Sequence, residues 1–303
     1  MNICRLLPLA LSLLLCASLA SAQHLADPEY KPVVEHPAYA KNGPRVLFDE
    51  GHNNYHTSTN RYRPFADLLT LDGYRVVINR QPFTKKVLDS FKVLVIVNAL
   101  ADDIDEAGAD GPAFTEEETT IVREWVSSGG ALLLVADQAP FGKSAASLAK
   151  QFEVEMSAAL VEDPLNSEKH KDYLVFSREN HLLADHPILQ GRDNGEKVNR
   201  VMAFSGQSLK GSKGSSAFLL LSEKAVEIVD SADASKNVSA AGRAEGLAVK
   251  VGSGRVVVLG EADMLSALLD SPPANEPIGM NYPGIDNKQL TLNIMHWLSG
   301  LIR

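Results

Sequence analysis

Two short runs in this chain, the interior of Lys92-Val-Leu-Val-Ile-Val-Asn98 and Ala131-Leu-Leu-Leu-Val-Ala136, contain no polar position. Successive side chains of a strand point to opposite faces, so a run without a polar face is buried on both sides. That is the environment of a central strand in a parallel sheet covered by helices on both faces. The segments around these runs have the matching periods. Arg45-Val-Leu-Phe-Asp49 and residues 74–78 read as further strands. Residues 64–72 carry Phe65, Leu68 and Leu69 at helical spacing with Gly73 as a stop. Thr115 and Glu118 have the spacing of a capping box ahead of an apolar face made by Ile121, Val122, Trp125 and Val126, and Gly129-Gly130 ends that helix. A further helix follows Pro140, and a closing helix is expected over 287–299, capped by Asp286. Strands alternating with helices imply right-handed crossovers and a doubly wound α/β fold. The expected fold class is therefore α/β and flavodoxin-like, a mostly parallel sheet with helices on both faces.

Between about 153 and 246 the pattern loosens and reads as an inserted irregular/β segment that includes a short strand at 218–221. Strand character resumes at 246–251 and 255–260, joined by Gly252-Ser-Gly254 as a hairpin turn. Residues 1–22 have a short n-region, a Leu/Ala-rich apolar run and Ala20-Ser-Ala22 as a small-residue cleavage site, the pattern of a secretory signal peptide. Residues 23–44 read as an extended N-terminal arm, and 45–303 as a single α/β domain. The expected location is secreted or periplasmic, with no stable membrane insertion after processing.

The chain's only cysteines, Cys4 and Cys16, fall in the signal, so the processed chain has neither a disulfide nor a thiolate nucleophile. Its core must hold by packing alone, which about 280 residues can do. Lys and Arg total 29 against 38 Asp and Glu, a formal charge of −9, which offers no basic footprint to a nucleic-acid backbone.

In an open parallel sheet, ligands gather at the carboxyl ends of the strands. Asp49-Glu-Gly-His-Asn-Asn-Tyr-His56 follows the first strand, Asn98 and then Asp102-Asp103 the central one, Asp137-Gln138 the next, and Glu261-Ala-Asp263 a late one. Carboxylates with two imidazoles suit general acid/base work or oxygen/nitrogen metal coordination. Asp49, Glu50, His52, Asp137 and Glu261 are the candidate catalytic residues, and Asp49, His52 and Asp137 the candidate metal ligands. Asn53, His56, Asn98 and Asn281 are candidate ligand-binding residues, the last from an Asn-rich loop feeding the closing helix. A divalent metal would suit this set; no nucleotide is expected. Strand-end acids also commonly cap helices or bond loop amides, and both readings stay open here.

Several motifs fail on inspection. Asp137-Gln-Ala-Pro-Phe-Gly-Lys-Ser144 ends like a phosphate loop but lacks its first glycine, and Pro140 removes an amide that would cradle phosphate. Gly206-Gln-Ser208 lacks the closing glycine of a serine nucleophile elbow. His52 and His56 are four apart, but the intervening Asn53-Asn54 favours a loop over a zinc-binding helix. His181, His186 and His296 read as turn, packing or surface residues.

The order Val46-Leu-Phe-Asp-Glu-Gly-His52, Leu94-Val-Ile-Val-Asn98, Trp125-Val-x-x-Gly-Gly-x-Leu-Leu-Leu134, His186-Pro-Ile-Leu-x-Gly191, Gly254-Arg-Val-Val-Val-Leu-Gly-Glu261 and Asn293-Ile-Met-His-Trp-Leu298 resembles exported bacterial domains of unknown function. These belong to the class I glutamine-amidotransferase-like superfamily, among them ThuA-like proteins and domains associated with gliding-motility ABC systems. The resemblance spans about 45–303 and implies a glutamine-amidotransferase-like α/β domain. True amidotransferases use a cysteine after a central strand with a partner histidine; with no cysteine outside the signal, glutaminase chemistry does not carry over. What it leaves is a former active edge rebuilt with Asp49, Glu50, His52, Asp137 and Glu261. Two functions follow as expectations: a non-catalytic domain binding a carbohydrate or other polar envelope ligand, or a hydrolase using the carboxylate/His cluster, with or without a divalent metal.

Overall fold

The computed structural model describes residues 24–102, 111–270 and 274–303. The proposed signal at 1–22, with both cysteines, and Asp103 lie outside the described residues. Five strands form a parallel ladder: Arg45–Asp49, Arg75–Asn79, Val93–Val97, Ala131–Val135 and Gly254–Leu259. In space they run second, first, third, fourth, fifth, which is the flavodoxin-like order. The chain therefore reverses its direction of winding between Arg45–Asp49 and Val93–Val97, and the carboxyl ends of those two strands flank the crevice at the switch.

Alternation along the strands sorts the core into two layers. Phe48, Val93, Val95, Val97, Leu133 and Val257 pack on one face with Phe65 and Leu69 of the Arg63–Leu71 helix and with Leu290, Ile294 and Trp297 of the Asn287–Ser299 helix. Leu47, Leu94, Ile96, Leu132, Leu134 and Val258 pack on the other, under Val122 and Val126 of Glu116–Ser127 and Ala145 and Leu148 of Phe141–Lys150. Burying a Leu, Val or Ile side chain contributes roughly 1.5–3 kcal/mol. These runs have no polar face because both faces are covered.

The expected mostly parallel sheet is corrected here. The sheet is mixed, with eleven strands among the described residues, and the inserted stretch supplies much of its antiparallel half. Ala244–Val251 returns antiparallel on Gly254–Leu259 through a turn at Gly252, whose φ of 55° suits glycine. Gln207–Gly211, Val154–Glu162, Val226–Ile228 and Val238–Ser239 continue outward, and Ser215–Leu220 also pairs with Ala244–Val251. The insertion thus extends the main sheet, apart from a separate ladder of Tyr173–Ser177 with Arg200–Phe204.

Thr115 and Glu118 form the expected capping box. Asp286 precedes the closing helix but does not cap it with its side chain; its carboxylate accepts from the amides of Asn199 (2.8 Å) and Arg200 (3.1 Å) instead. His296 is buried, with Nε2 at 2.7 Å from Asp72. In the N-terminal arm, Leu25–Ala26 pairs antiparallel with the Ala267–Leu269 strand. Among the described residues no helix is long and apolar enough to cross a membrane.

Candidate functional site

The strand ends deliver their polar residues to two separate hydrogen-bonded groups rather than to one shared cluster. The first is built on Asp49, which ends its strand fully buried. Its Oδ2 lies 2.8 Å from His52 Nδ1, and its Oδ1 accepts from Asn79 Nδ2 at 3.1 Å and from the Gly51 amide. His52 Nε2 meets Glu118 Oε1 at 3.0 Å, and the ring packs between Phe83 and Phe114, centroids 4.5 and 4.9 Å away. Two acceptors facing both ring nitrogens call for an imidazolium. Burial works against that charge, but the hydrogen bonds and charges of Asp49 and Glu118 outweigh it and raise the His52 pKa. Glu118 also takes the amides of Phe83 and Thr115; burial opposes its ionisation, yet these donors and His52 bring it down to about 2.

The second group lies at the ends of the third, fourth and fifth parallel strands. Asn98 follows Val93–Val97 with φ 45°, a left-handed conformation asparagine tolerates better than most residues. Its Nδ2 reaches His56 Nδ1 at 3.0 Å and Asp137 Oδ2 at 2.6 Å, and its Oδ1 accepts from the Asp137 amide. His56 Nε2 stands 3.3 Å from Asp263 Oδ1, while His24 Nδ1, from the N-terminal arm, sits 2.5 Å from Asp263 Oδ2. With an amide donor on Nδ1, His56 carries its proton on Nε2, toward Asp263. Asp137 Oδ1 accepts from the Ala262 amide at 2.7 Å. Glu261 is buried and accepts from the amides of Asp263 and Met264, holding the turn that aims Asp263.

Carboxyl groups crowd this second group. Burial, then the charge of Asp263, raises Asp137 to about 6. Burial pushes Glu245 up to about 8, with Asp137 adding to it, and neither Glu245 oxygen has a hydrogen-bond partner. Burial, then the neighbouring acids, keeps Glu261 well above the usual carboxylate range. Asp263 is the exception: burial would raise it, but the hydrogen bonds of His24 and His56 hold it well below that range. Asp137 alone of Asp137, Glu245, Glu261 and Asp263 is only partly buried. The Tyr55 amide bonds the Asn98 carbonyl at 3.0 Å; its ring lies 5.5 Å from that of Phe141, and the Arg61 guanidinium stacks 4.0 Å from its centroid.

Of the residues picked from the sequence, Asp49 and His52 share the first group, and His56, Asn98, Asp137 and Glu261 the second. Glu50 belongs to neither: it accepts from Ser58 and pairs with Arg80 at 3.2 Å. Asn53 bonds the Ala101 carbonyl, and Asn281 bonds Asp27 and the Leu268 carbonyl. The metal trio does not fit a metal ion. Asp49 and His52 meet at hydrogen-bond distance, Asp137 sits in the other group, and among the described residues no three such side chains have metal-binding geometry. Sequence reasoning missed Glu118 as a partner of His52, and it missed His24 and Glu245. Glu245 carried a legible signal, a lone acid in Ala244-Glu-Gly-Leu-Ala-Val249.

No family model and no curated protein matches the chain. Among solved structures it is similar to the mmIFT52 N-terminal domain, at 15% identity and TM-score 0.60, over 84% of this chain and 97% of that one. The cytoplasmic protein STM3548 from Salmonella typhimurium is similar at 12% identity and TM-score 0.50, over 84% and 99%. At these identities the likeness is one of fold. A ThuA-like protein from Parabacteroides merdae is also a structural neighbour, at 12% identity and TM-score 0.46, over 86% and 91%, a score on which nothing further is built.

Proposed function

We propose that this chain is an exported domain on an amidotransferase-like frame that binds a carbohydrate or another polar envelope ligand and has no amidotransferase activity. The observation that supports it is the state of the two imidazoles. Each is engaged at both ring nitrogens, His52 by Asp49 and Glu118, His56 by Asn98 and Asp263. Both rings are also buried, so in this arrangement neither stands open to a substrate. The described residues also contain no cysteine. The least buried of the second group's carboxylates is Asp137, on the loop leading into the helix that begins at Phe141, and Phe141 packs with Tyr55, whose amide bonds the Asn98 carbonyl. Sugars present hydroxyls at their edges and C–H faces to stack, so this pairing suits them.

Calorimetric titration with neutral monosaccharides and short oligosaccharides tests the reading. Binding should weaken about tenfold or more in Tyr55→Ala and in Asp137→Asn, each such step being about 1.4 kcal/mol. Saccharide binding that both substitutions leave unchanged would remove the site. The hydrolase alternative has one favourable observation, the carboxyl of Asp137 raised to about 6, within the range of a general acid. Turnover of aryl glycosides or esters, lost in Asp137→Asn, would favour it over binding.

A further inference from the structure

The amino ends of the parallel strands, at the rim opposite Asp137, carry a row of cations. Arg75 and Arg45 are register partners, and the Lys92 amide bonds the Arg45 carbonyl at 2.9 Å. Past the Ala131–Val135 strand, Arg255 and Lys250 are register partners in turn. The row therefore crosses six adjacent strands, from Arg75–Asn79 to Ala244–Val251, about 24 Å at the usual strand spacing. It is interrupted only at Gly130, against which the Trp125 ring packs. Arg75 and Lys250, at the two ends, are exposed, while Arg45, Lys92 and Arg255 are partly buried.

No acid neutralises these charges. Among the described residues the five form no ion pair, and Arg45, Arg75, Lys92 and Arg255 donate to backbone carbonyls alone. Glu124 and Asp89 act on Lys85 instead. The excess is felt by three groups: burial and the charge of Arg255 lower Lys92, burial and the charge of Arg303 lower Arg255, and burial and the charge of Lys250 bring His186 down to about 4. The formal charge of −9 conceals this local surplus. Strand register and the rings beneath hold the cations in place, the Arg45 guanidinium 4.2 Å from the Phe91 centroid and that of Arg255 5.0 Å from Trp297. Charges fixed in advance lose little entropy when a counter-charge arrives.

We propose that this rim binds an acidic polysaccharide, a chain with a carboxylate on successive sugars, laid along the row from Arg75 to Lys250. A line of cations one residue deep matches a linear polyanion better than the plane of a membrane. Guanidinium groups pair with carboxylates through two parallel hydrogen bonds. A nucleic acid would also need rings on which to stack its bases, and Phe91 and Trp297 are already covered by Arg45 and Arg255. This surface lies at the other ends of the strands from Asp137 and stands or falls apart from the site proposed there.

Calorimetry at pH 7 with polygalacturonate as the probe and dextran as the neutral polymer tests this on the purified protein. Polygalacturonate should bind at low salt and be released at high salt, where the charges are screened. Arg75→Gln and Lys250→Gln change exposed residues and should each weaken it about threefold, and together about tenfold, because sites this far apart add. Lys224→Gln, beyond the other end of Ser215–Leu220, should change it by less than about 1.5-fold, the scale of a remote surface charge. Dextran should show no response to any of these substitutions. No binding of polygalacturonate, or row variants no weaker than Lys224→Gln, would overturn the inference. Equal affinity for single-stranded DNA of matched charge, or binding confined to phosphatidylglycerol vesicles, would overturn it in favour of a different partner.

Discussion

Replacing Glu245 with glutamine should reverse part of the protein's dependence on pH. Glu245 is fully buried, neither oxygen is hydrogen-bonded, and burial with the charge of Asp137 raises its carboxyl from 4.5 to about 8. A group whose folded pKa is raised takes up a proton on folding. Its favourable contribution is complete below the unfolded value and is lost as pH rises through the folded one. Between those limits each pH unit costs about 1.4 kcal/mol, so from pH 5 to pH 8 this carboxyl alone removes roughly 3 kcal/mol from the wild-type protein. Glutamine is neutral throughout and escapes the loss. His52, raised, loses its contribution as pH climbs past its ordinary 6.5, while Glu118, lowered, loses its own only as pH falls through its folded value. Both lie in the first group and are present in either protein, so they cancel in the difference. Urea unfolding of wild type and Glu245→Gln at pH 5, 6, 7 and 8 gives that difference directly. The stability gap should move toward the variant by roughly 3 kcal/mol over the range. Parallel profiles for the two proteins would refute the assignment of a neutral, isolated carboxyl at this position.

Other substitutions probe the packing around both groups by the same urea measurement. His52→Ala leaves Asp49 and Glu118 buried without the cation between them and should cost roughly 3–5 kcal/mol, part of it recovered when Glu118→Gln is added. In Gly206→Ala the new Cβ would stand 1.8 Å from Glu245 Oε1, so a loss of about 1–3 kcal/mol is expected, and a neutral result would mean that Glu245 can swing away. Thr115→Ala removes the capping hydroxyl that accepts from the Glu118 amide and should cost about 1 kcal/mol; an unchanged midpoint would show the cap to be redundant.

The parallel half of the fold was legible because its strands are extreme. Val93–Val97 and Ala131–Val135 are buried at every position, and only a doubly covered sheet accommodates that pattern. Thr115 and Glu118 were legible for a different reason: their spacing encodes a local hydrogen bond, and local geometry survives without knowledge of the rest of the chain. Of the antiparallel half, only the hairpin through Gly252-Ser-Gly254 and the strand at 218–221 were legible. Val154–Glu162 has one face half-covered and pairs with a strand about fifty residues later, so its residues look like loop when read alone. Asp286 misled because a helix-preceding aspartate has the composition of a cap, whereas its oxygen is claimed by the amides of Asn199 and Arg200.

For the site, the strand ends could be listed but not their partners, since periodicity fixes which face a residue takes and says nothing about which distant donor will meet it. His52 finds Glu118 across 66 residues and His24 finds Asp263 across 239. These long-range pairings decide what each acid can do. Glu118 receives enough donors to stay ionised beside the His52 cation, and Asp49 is tied to His52 and Asn79, so both serve the fold. Glu261 receives two backbone amides and is still raised, because it is buried and because Asp263, Asp137 and Glu245 stand too near for all to ionise at little cost. Asp137 sits between these extremes. It is held by Asn98 and Ala262 and, unlike Glu245, Glu261 and Asp263, is only partly buried. An acid at a strand end is therefore structural or functional according to the balance of donors around it. On the binding reading proposed above, that balance makes Asp137 the carboxylate whose substitution decides the matter.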